Sequence, residues 1–260
     1  MIFMNTMLTI AGSDSIGGAG IQADLKTALA CGVYSMSVIT SVTAQNTMGV
    51  QGIHDIPKDF VKLQLDSVFT DVFPDAIKIG MVSSIEIIQA IAERLQYYKA
   101  KNIVCDTVMV STSGKRLISE NAIDTLKKVL IPLAMVITPN IPEAEVLSNM
   151  DIKSKQDMLS SAKEISKWYN RYILIKGGHL SDCADDLLYH NNDAIWFKNI
   201  KIDNPNTHGT GCTLSSAIAS NLAKRKSVQD SVQLAKEYIT KAISYGLDIG
   251  HGSGSLWHGV

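Results

Sequence analysis

Residues 206–219 read NTHGTGCTLSSAIA. Small and polar residues lead into glycines at 209 and 211, then a cysteine, then apolar residues at helical spacing. Such glycines allow a tight turn with backbone N–H groups pointing inward, and the N-terminus of the following helix adds partial positive charge. A phosphate bound there needs no lysine in the loop. Cys212 then has three readings: nucleophile, metal ligand, or bystander in a loop built for an anion. The Walker pattern GxxxxGK[ST] is absent, which excludes that class of nucleotide binder, and the absence of GxGxxG weakens a dinucleotide reading.

Other residues with chemical capacity fall at predicted strand ends. Lys176, between ILI and GG, places a cation where it could neutralise charge on a transferring phosphoryl group. Asp106 in CDTV and Glu143 in TPNIPEAE are carboxylates at neighbouring strand ends, and hard oxygen donors suit Mg²⁺, often through water. Either is equally a helix cap or loop anchor, and Glu143 stands in the first turn of its helix, where carboxylates are favoured in any case. Gln45 offers an acceptor and two donors on a rigid strand end, which suits an aminopyrimidine or pyridine edge. Asp24, four residues into the first helix, faces either the same cleft or the solvent. His208 precedes the glycine turn and His179 follows Lys176, so both are placed to approach phosphates. His251 and His258 lie in GHGSGSLWHG, which reads as a surface cover; their spacing matches no compact metal motif.

These residues need a scaffold that converges strand ends, and strand-like and helix-like stretches alternate to give one. MLTIAG (7–12) ends in glycine, and GIQADLKTALACG continues at helical spacing. SVITSVTA (37–44) reads as a strand buried on both faces. PKDFVKLQLDSVF is helical, DAIKIGM a strand, and SSIEIIQAIAERLQYY an amphipathic helix with a serine cap. NIVCDTV, AMVITPN and YILIKGG continue the strands; SENAIDTLKKVL, IPEAEVLS and KQDMLSSAKEISKWY continue the helices. LLYHNNDAIWFKNIKI predicts a hairpin turning at NND, and helices at 210–225 and 228–246 follow. This order predicts a mostly parallel α/β sheet with helices on both faces, in a single domain over residues 1–260. In such sheets ligands collect at the carboxyl ends of the strands. GSDSIGGAG, AQN, GM, CDTV, TPNIPEAE and KGGH all fall there, with Met81 the one methionine at the rim.

Composition narrows the class. Of 260 residues, 46% are hydrophobic and 19% charged, as in an ordinary globular chain. The net charge of −1 carries no basic field for nucleic acid or anionic lipid, and KRK at 224–226 closes a predicted helix, where cations complement the dipole. The four cysteines, at 31, 105, 183 and 212, show no CxxC, so a reduced cytoplasmic setting is expected. The opening MIFMNTMLTIAGS has no basic stretch of a signal peptide, and the longest apolar run is too short to cross a bilayer.

As an ordered set, GSDSIGGAGIQADLKT, AQNT, KIGMV, CDTVM, TPNIPEAE, KGGH and NTHGTGCTLS resemble the hydroxymethylpyrimidine/phosphomethylpyrimidine kinases of thiamine synthesis, within the ribokinase-like superfamily. The resemblance implies a three-layer α/β/α fold and ATP- and Mg²⁺-dependent phosphorylation of 4-amino-5-hydroxymethyl-2-methylpyrimidine, then of its monophosphate. By the same resemblance Gln45 bonds the pyrimidine, with Gly12, Asp24, Met81 and Val108 lining its pocket. Asp106 and Glu143 serve Mg²⁺; Lys176, Asn140 and Thr210 serve ATP. The N–H groups of Gly209, Thr210, Gly211 and Cys212 form the anion hole, and a homodimer is expected. Sugar kinases of this superfamily carry GAGD where this chain has Cys212 in place of the aspartate. A helix N-terminus lowers a thiol pKa, so a proton-accepting thiolate is one expectation, with positioning and charge stabilisation the main contributions. The alternatives are a pyridoxal kinase of the same fold, a thiol hydrolase using Cys212 with His208 or His179, and a catalytically silent pyrimidine-binding regulator. The segments 110–118 and 181–199 are both candidate lids.

Overall fold

The computed structural model describes residues 4–109, 118–178, 184–198 and 202–260. In chain order these contain β1 (Thr6–Ser13), α1 (Gly20–Ala30), β2 (Tyr34–Asn46), β3 (Gly49–Asp55), α2 (Lys58–Phe69), β4 (Ala76–Ile79), α3 (Ile85–Tyr97) and β5 (Ile103–Cys105). There follow α4 (Glu120–Thr125), β6 (Val136–Ile137), α5 (Ile141–Ser148), α6 (Lys155–Ser166), β7 (Tyr172–Ile175), β8 (Asp186–His190), β9 (Asp193–Phe197), α7 (Thr210–Ala223) and α8 (Val228–Ser244).

Among the described residues one nine-stranded sheet runs in the order β3-β2-β1-β4-β5-β6-β7-β8-β9. The six strands from β2 to β7 in that order are parallel, and antiparallel partners close both edges. Alternation along each strand divides the core. Leu8, Ile10, Ile77, Ile79, Ile103, Ile173 and Ile175 face the layer of α2–α6. Met7, Ala76, Val104, Val136 and Leu174 face α1, α7 and α8. Apolar side chains on both faces are what a central parallel strand requires.

β2 departs from the expectation of burial on both faces: Val42 and Ala44 are exposed while Ser41 and Thr43 are buried. Its outer half pairs with β3, a strand not expected from the sequence, and lies near the sheet edge. The hairpin at NND is present as β8 and β9, with Asn191 and Asn192 at φ 50° and 67°, the left-handed values a tight hairpin needs. Within residues 184–198, β8 and β9 thus form one edge of the sheet. The rest of 181–199, and all of 110–118 but Ile118, lie outside the described residues, as do His179 and Cys183.

Residues 250–258 return across the carboxyl edge of the sheet. The N–H groups of His251 and Gly252 donate to Thr47 Oγ1 at 3.1 and 3.2 Å, and His208 N–H donates to Gly254 O. His258 is buried, not on the surface, with Nε2 3.0 Å from Thr213 Oγ1.

Candidate active site

Because β1, β4, β5, β6 and β7 are parallel, their carboxyl ends meet on one rim, and α7 begins above it. Lys176 follows β7, its N–H donating to Pro139 O at 2.8 Å. Its ammonium reaches Asp106 Oδ1 at 3.0 Å, just past β5. Thr138 Oγ1 donates to the same oxygen at 3.0 Å, while Ser215 Oγ on α7 is 3.4 Å from Oδ2. A Cβ on Gly211 would lie 3.4 Å from Lys176 Nζ and 3.5 Å from Asp106 Oδ2. The missing side chain therefore leaves the first turn of α7 open directly over the ion pair. Burial works against both charges, but each holds the other ionised: Lys176 is raised, and Lys176 with Lys78 brings Asp106 below the usual carboxylate range.

Glu143 and Asn140 form the capping box of α5: Asn140 Oδ1 accepts from Glu143 N–H and Glu143 Oε2 from Asn140 N–H, both at 2.9 Å. Thr107 Oγ1 also donates to Glu143 Oε2 at 3.1 Å. Burial pushes the Glu143 carboxyl up to about 7, against the opposing pull of Lys176. Among the described residues no three His, Cys, Asp or Glu side chains are grouped to hold a metal ion. Asp106 and Glu143 are two hard-oxygen donors on adjacent turns, which fits an ion that keeps most of its ligands from water and phosphate.

The glycines of the turn are not equivalent, and this corrects the sequence expectation. Gly209 has φ +83°, and a Cβ there would run into the carbonyl oxygen of Gly18. Gly211 is in ordinary helical backbone; what it supplies is space, not turn conformation. Thr210 is the first residue of α7, its hydroxyl donating to Thr207 O at 2.7 Å. Cys212 follows in the first turn, yet its thiol is not acidified. Burial raises it to about 11, Lys78 opposing and the charges of Asp24 and Asp106 adding to it. Burial is the largest cause and acts against the thiolate, opposite in direction to the lowering expected from the helix N-terminus.

At the other side of the rim, Gly12 stands one residue before the end of β1 with no room for a side chain: a Cβ would lie 2.6 Å from Met81 Cε and 2.8 Å from Ser41 Oγ. Gly12 and Met81 are thus in contact, and Val108 lies just past Asp106, partly exposed. Gln45 is partly exposed at the end of β2, its side chain between Thr43 Oγ1 and His208 Nε2, each at 3.3 Å. Asp24 takes neither position expected for it. It is fully buried beneath the rim, accepting from Lys78 Nζ at 2.8 and 2.9 Å, from Ser216 Oγ at 2.6 Å and from Thr9 Oγ1. Its side-chain oxygens are taken up by these bonds. It instead joins α1, α7, β1 and β4 through a buried charge pair.

Asp14 was not singled out from sequence, although the D-x-x-G-x spacing of a loop anchor was visible. Its carboxylate accepts from the N–H groups of Ile16, Gly18 and Ala19 at 3.1, 3.0 and 2.8 Å, and from His208 Nε2 at 2.8 Å. These bonds bring it below the usual carboxylate range despite burial. His208 consequently turns toward Asp14 and Gln45 rather than toward Cys212 or the ion pair.

A three-layer α/β/α sheet with a glycine turn and a buried ion pair at its carboxyl edge defines a ribokinase-like kinase. More narrowly, the chain belongs to the phosphomethylpyrimidine kinase family, which matches residues 14–257. It is 46% identical over 253 residues to the hydroxymethylpyrimidine/phosphomethylpyrimidine kinase of Streptomyces coelicolor, covering 97% of this chain and 94% of that one. A thiamine biosynthesis bifunctional protein of Geobacter sulfurreducens is 46% identical over 254 residues, but the chain spans only 52% of its length. Among solved structures, the phosphomethylpyrimidine kinase of Clostridium difficile is 49% identical with a TM-score of 0.83, covering 92% of this chain and 99% of that one. Pyridoxal kinase of Bacillus subtilis, in an ADP complex, is 38% identical with a TM-score of 0.91, covering 98% of each chain. Among the described residues no helix is long and apolar enough to cross a membrane.

Proposed function

We propose that this kinase transfers the γ-phosphoryl group of ATP to the hydroxymethyl oxygen of 4-amino-5-hydroxymethyl-2-methylpyrimidine, and then phosphorylates the monophosphate to the diphosphate, as a step of thiamine biosynthesis. The observation that carries the reading is the empty Cβ position of Gly211, within 3.5 Å of both Lys176 Nζ and Asp106 Oδ2. Phosphoryl transfer through a loose transition state calls for positioning and for charge stabilisation at the equatorial oxygens. Lys176 supplies a fixed cation, and the N–H groups of Gly209, Thr210, Gly211 and Cys212 are assigned to the phosphate beside it, that of Thr210 donating also to Thr207 O at 3.2 Å. Asn140 and Thr210 are assigned to the nucleotide. Mg²⁺, held by Asp106 and Glu143 in part through water, would neutralise the phosphate oxygens.

Gln45 is assigned to the pyrimidine edge, over a floor of Gly12 and Met81 with Val108 alongside. Cys212 stays protonated and touches substrate without acting as base or nucleophile. The thiol hydrolase reading loses His208, whose Nε2 is held by Asp14. A cytoplasmic homodimer completes the proposal.

Pyridoxal phosphorylation is the second reading, favoured by the TM-score of 0.91 to a pyridoxal kinase. Incubation with Mg-ATP and either hydroxymethylpyrimidine or pyridoxal, followed by mass spectrometry, separates the two. Mono- and then diphosphate from the pyrimidine is the expected result. Phosphate on pyridoxal alone would overturn the substrate, and transfer to neither would overturn the kinase.

A further inference from the structure

Gln45 can face an aromatic edge in two ways, because a half-turn exchanges its oxygen and nitrogen. Its neighbours decide between them. Asp14 accepts from three backbone N–H groups and is therefore the anion; a carboxylate 2.8 Å from His208 Nε2 requires the proton to be on that nitrogen. That single proton is directed at Asp14, so Nε2 has no lone pair for the end of Gln45 that lies 3.3 Å away and offers it only a share of the same N–H. At the other end, the hydroxyl proton of Thr43 is committed to Ser13 O at 2.9 Å, which leaves a lone pair facing Gln45 at 3.3 Å. An amide with its nitrogen toward His208 would set two donors against each other, and two acceptors at Thr43. The half-turned amide removes both conflicts: its nitrogen donates to Thr43, and its oxygen takes the weaker share of the N–H that His208 gives to Asp14.

We infer that His208, held in one tautomer by Asp14, acts with Thr43 as a clamp that fixes the orientation of the Gln45 amide and so sets which heteroaromatic edge the pocket accepts. The inference rests on the aminopyrimidine reading above. In the clamped orientation the oxygen has one lone pair left and the nitrogen one hydrogen. That pair matches an amino group beside an unprotonated ring nitrogen, the 4-amino/N3 edge. It mismatches the 4-oxo/N3–H edge, where donor and acceptor are exchanged. A freely turning amide would read either edge; a clamped one rejects the second, because buried polar groups would be left unpaired. His208 is a positioning residue here, acting on substrate only through Gln45.

The test compares 4-amino-5-hydroxymethyl-2-methylpyrimidine with its 4-oxo counterpart in wild type, His208→Phe and Thr43→Val, reading kcat/KM for each. The two variants loosen the clamp from opposite ends, so a folding defect in one does not decide the result. Each is expected to lower the amino-over-oxo ratio by about tenfold or more, the equivalent of one misdirected hydrogen bond. The loss should fall on KM for the pyrimidine and leave KM for ATP unmoved. A ratio unchanged in both variants, or a wild type that takes both substrates alike, would overturn the clamp while leaving the kinase reading intact. A wild type that phosphorylates neither pyrimidine would overturn the clamp and the substrate reading together.

Discussion

Lys176 Nζ lies 3.0 Å from Asp106 Oδ1, and the pair sits under the first turn of α7 with neither partner free of the other. One bond keeps a buried carboxylate ionised and holds a cation beside the first turn of α7, where the proposed anion hole lies. Lys176→Ala is therefore expected to cost about 10²–10³ in kcat, the range for losing one electrostatic contact to a transition state. It should also destabilise the fold by about 3 kcal/mol, since Asp106 is left charged and buried without its partner. Steady-state kinetics with urea unfolding checks both; loss of activity with undiminished stability would separate the two roles.

The two glycines of the turn should fail differently. Gly209→Ala drives a methyl group into the Gly18 carbonyl from a left-handed backbone, so the expected result is misfolded or markedly destabilised protein. Gly211→Ala places its methyl against Lys176 and Asp106 at ordinary contact distance. That variant should fold, melt within a few degrees of wild type, and lose phosphoryl transfer. Thermal melts beside ATP turnover distinguish them.

With its thiol raised to about 11, Cys212 is protonated through the whole neutral range. Cys212→Ser is expected to retain activity within about tenfold, because a side chain that stays neutral contributes by contact rather than by proton transfer. A pH–rate profile should show no limb rising toward pH 11 that the serine variant lacks. Such a limb would make the thiolate the base.

Glu143, raised to about 7, must give up its proton to serve a cation. Below that pH the neutral carboxyl competes poorly for Mg²⁺; above it the carboxylate is available. The Mg²⁺ concentration for half-maximal ATP consumption should therefore fall as pH rises from 6 to 8, and Glu143→Gln should flatten that dependence. A wild-type midpoint that does not move with pH would remove Glu143 from the ion's surroundings.

His258 carries the opposite sign. Burial lowers its pKa from 6.5 to about 4, so the unfolded chain binds a proton that the folded chain refuses. Stability is then complete above the unfolded value and is lost as pH falls from 6.5 to 4, by up to ~3 kcal/mol. Urea midpoints for wild type should drop across that window more steeply than those for His258→Gln. Parallel curves would mean that the buried ring titrates normally.

Much of this architecture is legible in the sequence because its signals are local. Apolar runs ending in glycine, serine caps and the NND turn each act within a few residues, and the parallel rim follows from their alternation. What was not legible depends on distance. Asp14 reads as an ordinary loop residue until His208, 194 positions away, is beside it. Asp24 and Lys78 are charged residues at buried positions of α1 and β4, and their mutual pairing, with the hydroxyls of Thr9 and Ser216 donating to Asp24, makes that burial tolerable. Gly209 and Gly211 look alike in HGTGC; the carbonyl of Gly18 makes one of them conformational and the other spatial. β3, GVQGIHD, has no apolar run and owes its existence to pairing with β2.

The walls of the pocket proposed for the pyrimidine also have an order in time. Asp14 and Gln45 leave the ribosome early, whereas His208 and the segment at 250–258 that packs on it leave late. Contacts of such long sequence separation close slowly and late in folding. A nascent or interrupted copy can therefore assemble the first strands of the sheet while one wall of the pocket is still unwritten. Such a copy holds much of the scaffold and none of the selectivity, so unfinished chains should bind substrate poorly rather than phosphorylate it loosely.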